Sequence, residues 1–255
     1  MARDFDGVDD QVANALEDVG AFTSGTICWW QRPDVAFNSG TVKTIWGQNV
    51  QPAPPEWSAQ KFSDNKWYVG WNTDTGGDDR VVVAASSSNW RVDLWDFYAY
   101  TWIVDSDSFF YQGAASAMTQ LGTVAVTNVQ ALTSNFFVGQ RGGGSEFFDG
   151  KMADVRIFKN SVLNEGQLLL VMRGGVVGIP RLWWPLWGVN SPEPDWSGNN
   201  SHGTLTGTLV FDHPPGISAV WLAPHPRLSQ VAAAAAAGAD GGGPRPFAAV
   251  VPGFP

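Results

Sequence analysis

The residue types that could drive acid–base chemistry are present, but not in working patterns. Hydrolysis of a glycosidic bond with retention needs two carboxyl groups about 5 Å apart, whereas Glu17, Glu56, Glu146, Glu165 and Glu193 stand singly along the chain. Asp149 and Asp154 are five residues apart in an extended run, which puts them on opposite strand faces. His202, His213 and His225 lack a metal-binding spacing such as His-Glu-x-x-His. No Gly-x-Ser-x-Gly sets a serine on a strained elbow, and the glycines at 142–144 lack the lysine and following helix of a phosphate cradle. The pattern predicts a chain that is not an enzyme and requires no cofactor.

Two kinds of binding chemistry remain. Asp6, Asp9, Asp10, Asp149 and Asp195 offer hard oxygen ligands of the type calcium takes; the competing reading is that they only make turns. A metal held there would be structural. Asp74, Asp78 and Asp79 form a second acidic loop with the same two readings. Flat aromatic faces can stack on sugar rings, and the chain has 14 Trp. Trp29, Trp30, Trp95, Trp102, Trp183 and Trp184 lie inside strand patterns and are assigned to the core. Trp57, Trp67, Trp71, Trp90 and Trp196 sit in or beside loops and are the candidates for contact with a glycan or a neighbouring subunit.

Short apolar runs separated by turn clusters must position these residues, the mark of many antiparallel strands. Strands are predicted at 3–6, 11–15, 25–32, 41–48, 66–72, 80–86, 96–104, 108–112, 124–130, 135–140, 146–159, 181–187 and 204–212. The runs Val81-Val82-Val83 and Phe97 to Val104 are apolar on both phases, which predicts cover on both faces. Gln51 to Pro55, with three prolines, reads as a loop. One short helix is predicted: Asn164 caps it, Gln167 completes a capping box, and Gly174 ends it. Cys28, the single cysteine, sits in an apolar run and reads as a buried small hydrophobe.

Several segments, in order, resemble the laminin-G-like jelly rolls of the concanavalin A-like lectin and glucanase superfamily. Phe5-Asp6-Gly7-Val8-Asp9-Asp10 is similar to the family's first strand and turn, and Gly25 to Trp30 to the next strand with its core Trp. Trp95 to Thr101, Phe110-Tyr111-Gln112-Gly113 and Phe137-Val138-Gly139 follow as its central strand, hairpin and next strand. Phe148 to Phe158, the helix after it, and Leu182 to Leu186 with Asp195-Trp196-Ser197-Gly198-Asn199 complete a match over residues 3–212. The resemblance implies an all-β, two-sheet antiparallel jelly-roll sandwich with one short helix. It also implies that a glucanase of this kind would carry Glu-x-Asp-x-x-Glu on one strand, which this sequence lacks. Several relatives hold one calcium through loop carboxylates, which is the source of the calcium reading above.

Residues 1–225 are expected to form this domain, and 226–255, with six consecutive alanines and many glycines and prolines, an extended C-terminal arm. A net charge of −9 without a basic block argues against nucleic acid. No leader-like or membrane-length apolar stretch is seen, which points to synthesis in a cytoplasm. Two functional readings stay open. One is a structural component of a bacteriophage virion, a capsid decoration or fibre module docked to other virion proteins through 226–255 and able to form homo-oligomers. The other is a lectin-like module that binds a surface glycan.

Overall fold

Alternating apolar and polar residues generate fifteen strands and one helix among the described residues of the computed structural model, which are 2–15, 21–49, 55–73, 77–114, 117–127, 129–132, 134–142, 146–187, 191–212 and 214. In chain order these are β1 (Ala2–Asp6), β2 (Gln11–Asn14), β3 (Ser24–Pro33), β4 (Lys43–Asn49), β5 (Glu56–Lys61), β6 (Lys66–Asn72), β7 (Asp78–Ala84) and β8 (Asp96–Ile103). Then come β9 (Ser106–Ala114), β10 (Ala117–Val126), β11 (Phe136–Val138), β12 (Asp149–Lys159), α1 (Glu165–Met172), β13 (Leu182–Trp184), β14 (Thr204–Thr206) and β15 (Leu209–Phe211).

The strands form two antiparallel sheets. One runs β10-β9-β8-β3-β12-β1-β15, with β13 also paired to β12; the other runs β14-β2-β11-β4-β5-β6-β7. This is the two-sheet sandwich expected from the sequence. The expected strand over 204–212 is in fact two, because the chain turns at Gly207 and passes from one sheet to the other. β5 lies where a loop was expected to continue. Its alternation is regular, with Trp57 and Ala59 on one face and Glu56, Ser58 and Gln60 on the other, so it pairs with both β4 and β6 once past Pro55.

Between the sheets lies an aromatic core containing Trp29, Trp46, Trp57, Trp67, Trp71, Trp90, Trp102 and Trp184. A second apolar layer covers the outside of the eight-stranded sheet, where Leu168, Val171 and Met172 of α1 pack on Cys28, Trp30, Phe97 and Ala99. β8 is therefore enclosed on both faces, as its sequence predicted. β7 is not: it is the edge of the seven-stranded sheet, and Val82 is 47% exposed, with no helix among the described residues packed on that sheet's outer face. The helix begins as predicted, with Asn164 accepting from the Gln167 N–H and Gln167 accepting from the Asn164 N–H, both at 3.0 Å. Cys28 is fully buried, and that burial pushes its thiol well above the ordinary range. The residues assigned to the arm, 226–255, lie outside the described residues.

Candidate functional site

Four of the five loop tryptophans singled out in the sequence are core residues. Trp57, Trp67 and Trp71 have no exposure and Trp90 has 1%. Trp57 and Trp71 face each other in the β5–β6 register and stack at 5.9 Å, both inward. Trp67 donates its indole N–H to the Asn89 carbonyl, and Trp90, although on a connecting segment, folds inward and donates to the Val35 carbonyl at 2.7 Å. None presents a ring to a sugar. The correction has a simple cause: proximity to glycine, proline and aspartate in sequence does not fix the phase of a strand.

Trp196 is different. It is half-exposed and meets two more tryptophans, Trp187 at 4.8 Å and 76° and Trp183 at 5.7 Å and 64°. Trp187 is half-exposed as well, so two rings stand nearly perpendicular at the surface. Asp195 builds this corner. Its Oδ1 accepts from the backbone N–H of Trp183 and Ser197 at 3.0 and 2.9 Å, and its Oδ2 accepts from the Ser197 hydroxyl and the Ser201 N–H at 2.7 and 2.9 Å. The Trp196 N–H then donates to the Trp183 carbonyl at 2.8 Å, which fixes the ring beside β13. With four donors on its two oxygens, Asp195 is a turn-forming residue and not a metal ligand, contrary to the sequence expectation.

Beneath the corner is a buried ion pair. Arg156 donates from Nε and Nη2 to the two oxygens of Asp154 at 2.9 and 2.8 Å, and its guanidinium lies 4.1 Å from the Trp183 ring centroid. Trp183 completes the arrangement by donating Nε1–H to Asp154 at 2.8 Å. Asp154 takes a left-handed backbone (φ 53°) where the β3–β12 register shifts. The ring that supports Trp196 is thus held by a charge-assisted bond and a cation–π contact.

A separate acidic corner forms where the chain crosses between sheets after β1. Ligand oxygens of Asp6, Asp9 and Asp10 all lie within 4.8 Å of one another. Asp149 is opposite Asp6 in the β1–β12 register and packs under Gly7, but its carboxylate is not in that group, so three of the five aspartates proposed from sequence are brought together. Burial, then the charges of Asp6, Asp9 and Asp4, push Asp10 above its ordinary value, against the hydrogen bond from the Asp6 N–H. Burial also raises Asp149. The donor set suits Ca²⁺, which takes carboxylate and carbonyl oxygens. The second acidic loop is committed elsewhere: Asp78 forms a two-pronged contact with Arg80, and Asp79 accepts from the Thr127 N–H. Asp74 lies outside the described residues.

The outer face of the seven-stranded sheet carries a further group, centred on Tyr68, that the sequence expectations did not include. Tyr68 alternates with Trp67 and Val69, so it points away from the core and is half-exposed. Its ring meets Phe62 at 4.5 Å, the Arg80 guanidinium lies 4.8 Å from its centroid, and its hydroxyl donates to Asp64 at 2.9 Å. Val82 is its cross-strand neighbour on β7. Alongside, buried Glu56 accepts from Arg80 on one oxygen and from Arg141 on the other, at 3.3 and 3.0 Å. Both oxygens of this carboxylate are therefore engaged by guanidinium groups. An outward aromatic flanked by residues that alternate with core positions was the legible signal for Tyr68.

Comparison with known proteins bears on the fold. The family model of the concanavalin A-like lectin/glucanases superfamily matches residues 6–168. Among solved structures, a Bacteroides ovatus protein assigned as carbohydrate-binding aligns with a TM-score of 0.60 and 18% identity, over 85% of this chain and 61% of its own length. The heptameric SAP-like pentraxin of Limulus polyphemus aligns with a TM-score of 0.50 and 16% identity, over 69% of this chain and 83% of its own. No curated protein sequence is significantly similar to the chain. No helix among the described residues is long and apolar enough to cross a membrane. With the sandwich, its helix-covered sheet and the family match in agreement, the chain belongs to the concanavalin A-like lectin/glucanases superfamily, in its laminin-G-like form.

Proposed function

We propose that the protein is a non-catalytic carbohydrate-binding module, and that Trp196 and Trp187 form the platform on which a sugar ring stacks. The observation that carries this reading is the perpendicular pair of half-exposed indoles, held from below by Trp183, Arg156 and Asp154. Most tryptophans among the described residues are consumed by the core, so two that pack together and keep partial exposure, on a rigid support, are a pre-organised apolar face. One ring offers a plane for the C–H face of a pyranose; the other closes its side. Exposed Ser191 and Asn200 supply hydroxyl and amide groups in the same segment for sugar hydroxyls. The fold relation to the B. ovatus protein is in line with this reading.

Catalysis is not part of it, because Glu56 is locked between two arginines and Asp154 is paired with Arg156. A calcium ion held at Asp6, Asp9 and Asp10 would be structural. Docking of 226–255 into a bacteriophage particle rests on composition alone, and the described residues add nothing in its favour. The test is binding of the full chain to a glycan array, beside Trp196→Ala and Trp187→Ala. Each variant should lose about tenfold in affinity, a change of about 1.4 kcal/mol, with a thermal midpoint within about 4 °C of the parent's. An array on which the full chain captures no glycan, or variants that bind as well as the parent, would sink the reading, and release of reducing sugar would overturn its non-catalytic part.

A further inference from the structure

We infer that the molecule is bivalent, with a second sugar platform at Tyr68 on the opposite outer face of the sandwich from Trp196; this rests on the carbohydrate-binding reading above.

The placement follows from strand alternation. Trp183 is on β13, which pairs with β12 in the eight-stranded sheet, and points outward because its neighbours Leu182 and Trp184 are core residues. Trp196 packs on that outward ring. Tyr68 is on β6 of the other sheet and points outward because Trp67 and Val69 are core residues. Two faces of one sandwich point away from each other, so one molecule presents its two aromatic platforms in opposite directions.

The Tyr68 surface has the parts a neutral sugar needs. Its centre is aromatic and aliphatic, with the half-exposed rings of Tyr68 and Phe62 and Val82 opposite on the edge strand, and the Arg80 guanidinium lies 4.8 and 5.6 Å from the two ring centroids. Its rim is charged and wet, with the side chains of Asp64 and Lys66 44% and 47% exposed and 3.4 Å apart. A carboxylate and an ammonium at that separation accept from and donate to vicinal hydroxyls. The Tyr68 ring is fixed before any ligand arrives, because its hydroxyl is tied to Asp64 and its face to Arg80, whose own charge is matched by Asp78 and Glu56. Hydrogen bonds from Tyr68 and Lys66 hold the Asp64 carboxyl below the ordinary carboxylate range, against its partial desolvation, so it is an acceptor at neutral pH. Since Arg80 is already paired, the site favours uncharged rings over acidic ones.

Two platforms facing apart cannot bind one short oligosaccharide, but they can bridge two chains of a polysaccharide, and linkage multiplies the apparent affinity for multivalent material. The probes are mannan, a mixed-linkage β-glucan and a galactan, with capture on the immobilised polymer and precipitation of the soluble polymer measured in parallel. The full chain should be captured and should precipitate at least one of them. Trp196→Ala and Tyr68→Ala should each still be captured but should no longer precipitate it, and the double variant should do neither. Val82→Lys, a change at an exposed position that removes no core contact, should reproduce Tyr68→Ala and guards against misfolding. If Trp196→Ala abolishes capture while Tyr68→Ala and Val82→Lys are captured, and precipitate or fail to precipitate, as the full chain does, there is one platform and bivalence is wrong, although the binding reading stands. If the full chain is captured by no polymer and no array glycan, both fall together.

Discussion

Truncating Trp57 and truncating Trp196 should have opposite consequences, although both sit near prolines in the sequence. Trp57 touches Trp46, Trp71, Trp102 and Phe136 between the sheets, at centroid distances of 4.5–6.0 Å. Trp57→Ala should cost about 3–5 kcal/mol through lost burial and the void left behind. Trp196→Ala removes a half-exposed ring and should cost about 1 kcal/mol or less. Urea unfolding of the two variants separates them, and equal costs would mean that Trp196 is a core residue. Which aromatics face water was the least legible feature of the sequence. Pro54-Pro55 ahead of Glu56 suggested a loop, which hid the strand phase that buries Trp57, and the outward phase of Tyr68 shows only once Trp67 and Val69 are known to face the core. Trp196 was legible because Asp195-Trp196-Ser197-Gly198 announces its own turn.

At the scale of elements, the capping box of α1 and the strands at Lys66–Asn72 and Asp96–Ile103 could be read almost to the residue, since caps and alternation are local signals. The sheet-crossing corners could not, because they depend on two distant segments meeting. Gly207, between β14 and β15, has φ 74°, and a Cβ there would lie 1.7 Å from Asp10 Oδ1. Gly207→Ala should therefore both strain the backbone and push Asp10 out of the Asp6–Asp9–Asp10 group. The parent should gain thermal stability when Ca²⁺ is added in excess, about 2.7 kcal/mol at a hundredfold over Kd, and Gly207→Ala should gain less. Calorimetry with Ca²⁺ and with chelator tests both; identical midpoints for the parent under the two conditions would show that the aspartates only make turns.

Across the whole molecule, the start of the chain is tied to its closing segment. Arg3 on β1 pairs with Glu193 at 3.0 Å, and both side chains are almost fully buried. Burial holds Glu193 above its ordinary value in spite of Arg3. A raised carboxyl favours the folded state most fully below its unfolded value of 4.5, and that contribution is lost as the pH rises through the raised value. Removing the counter-charge with Arg3→Ala leaves a buried, uncompensated carboxylate, so the variant should lose about 3–5 kcal/mol at pH 7. The deficit should shrink below pH 4.5, where Glu193 is protonated. Chemical unfolding at pH 4 and pH 7 reads the difference, and a deficit independent of pH would assign the loss to packing alone.

The tryptophan stack has an optical consequence. Trp29, Trp46, Trp57, Trp71 and Trp102 form a continuous series of ring pairs 4.5–6.5 Å apart. Chromophores this near couple through their strong far-ultraviolet transitions, so the native chain should give a far-ultraviolet circular-dichroism couplet that vanishes with the fold. Trp187 and Trp196, set apart from that series and touching water, emit as a separate red-shifted population. One unlabelled sample thus carries an interior gauge of integrity and a surface gauge of occupancy.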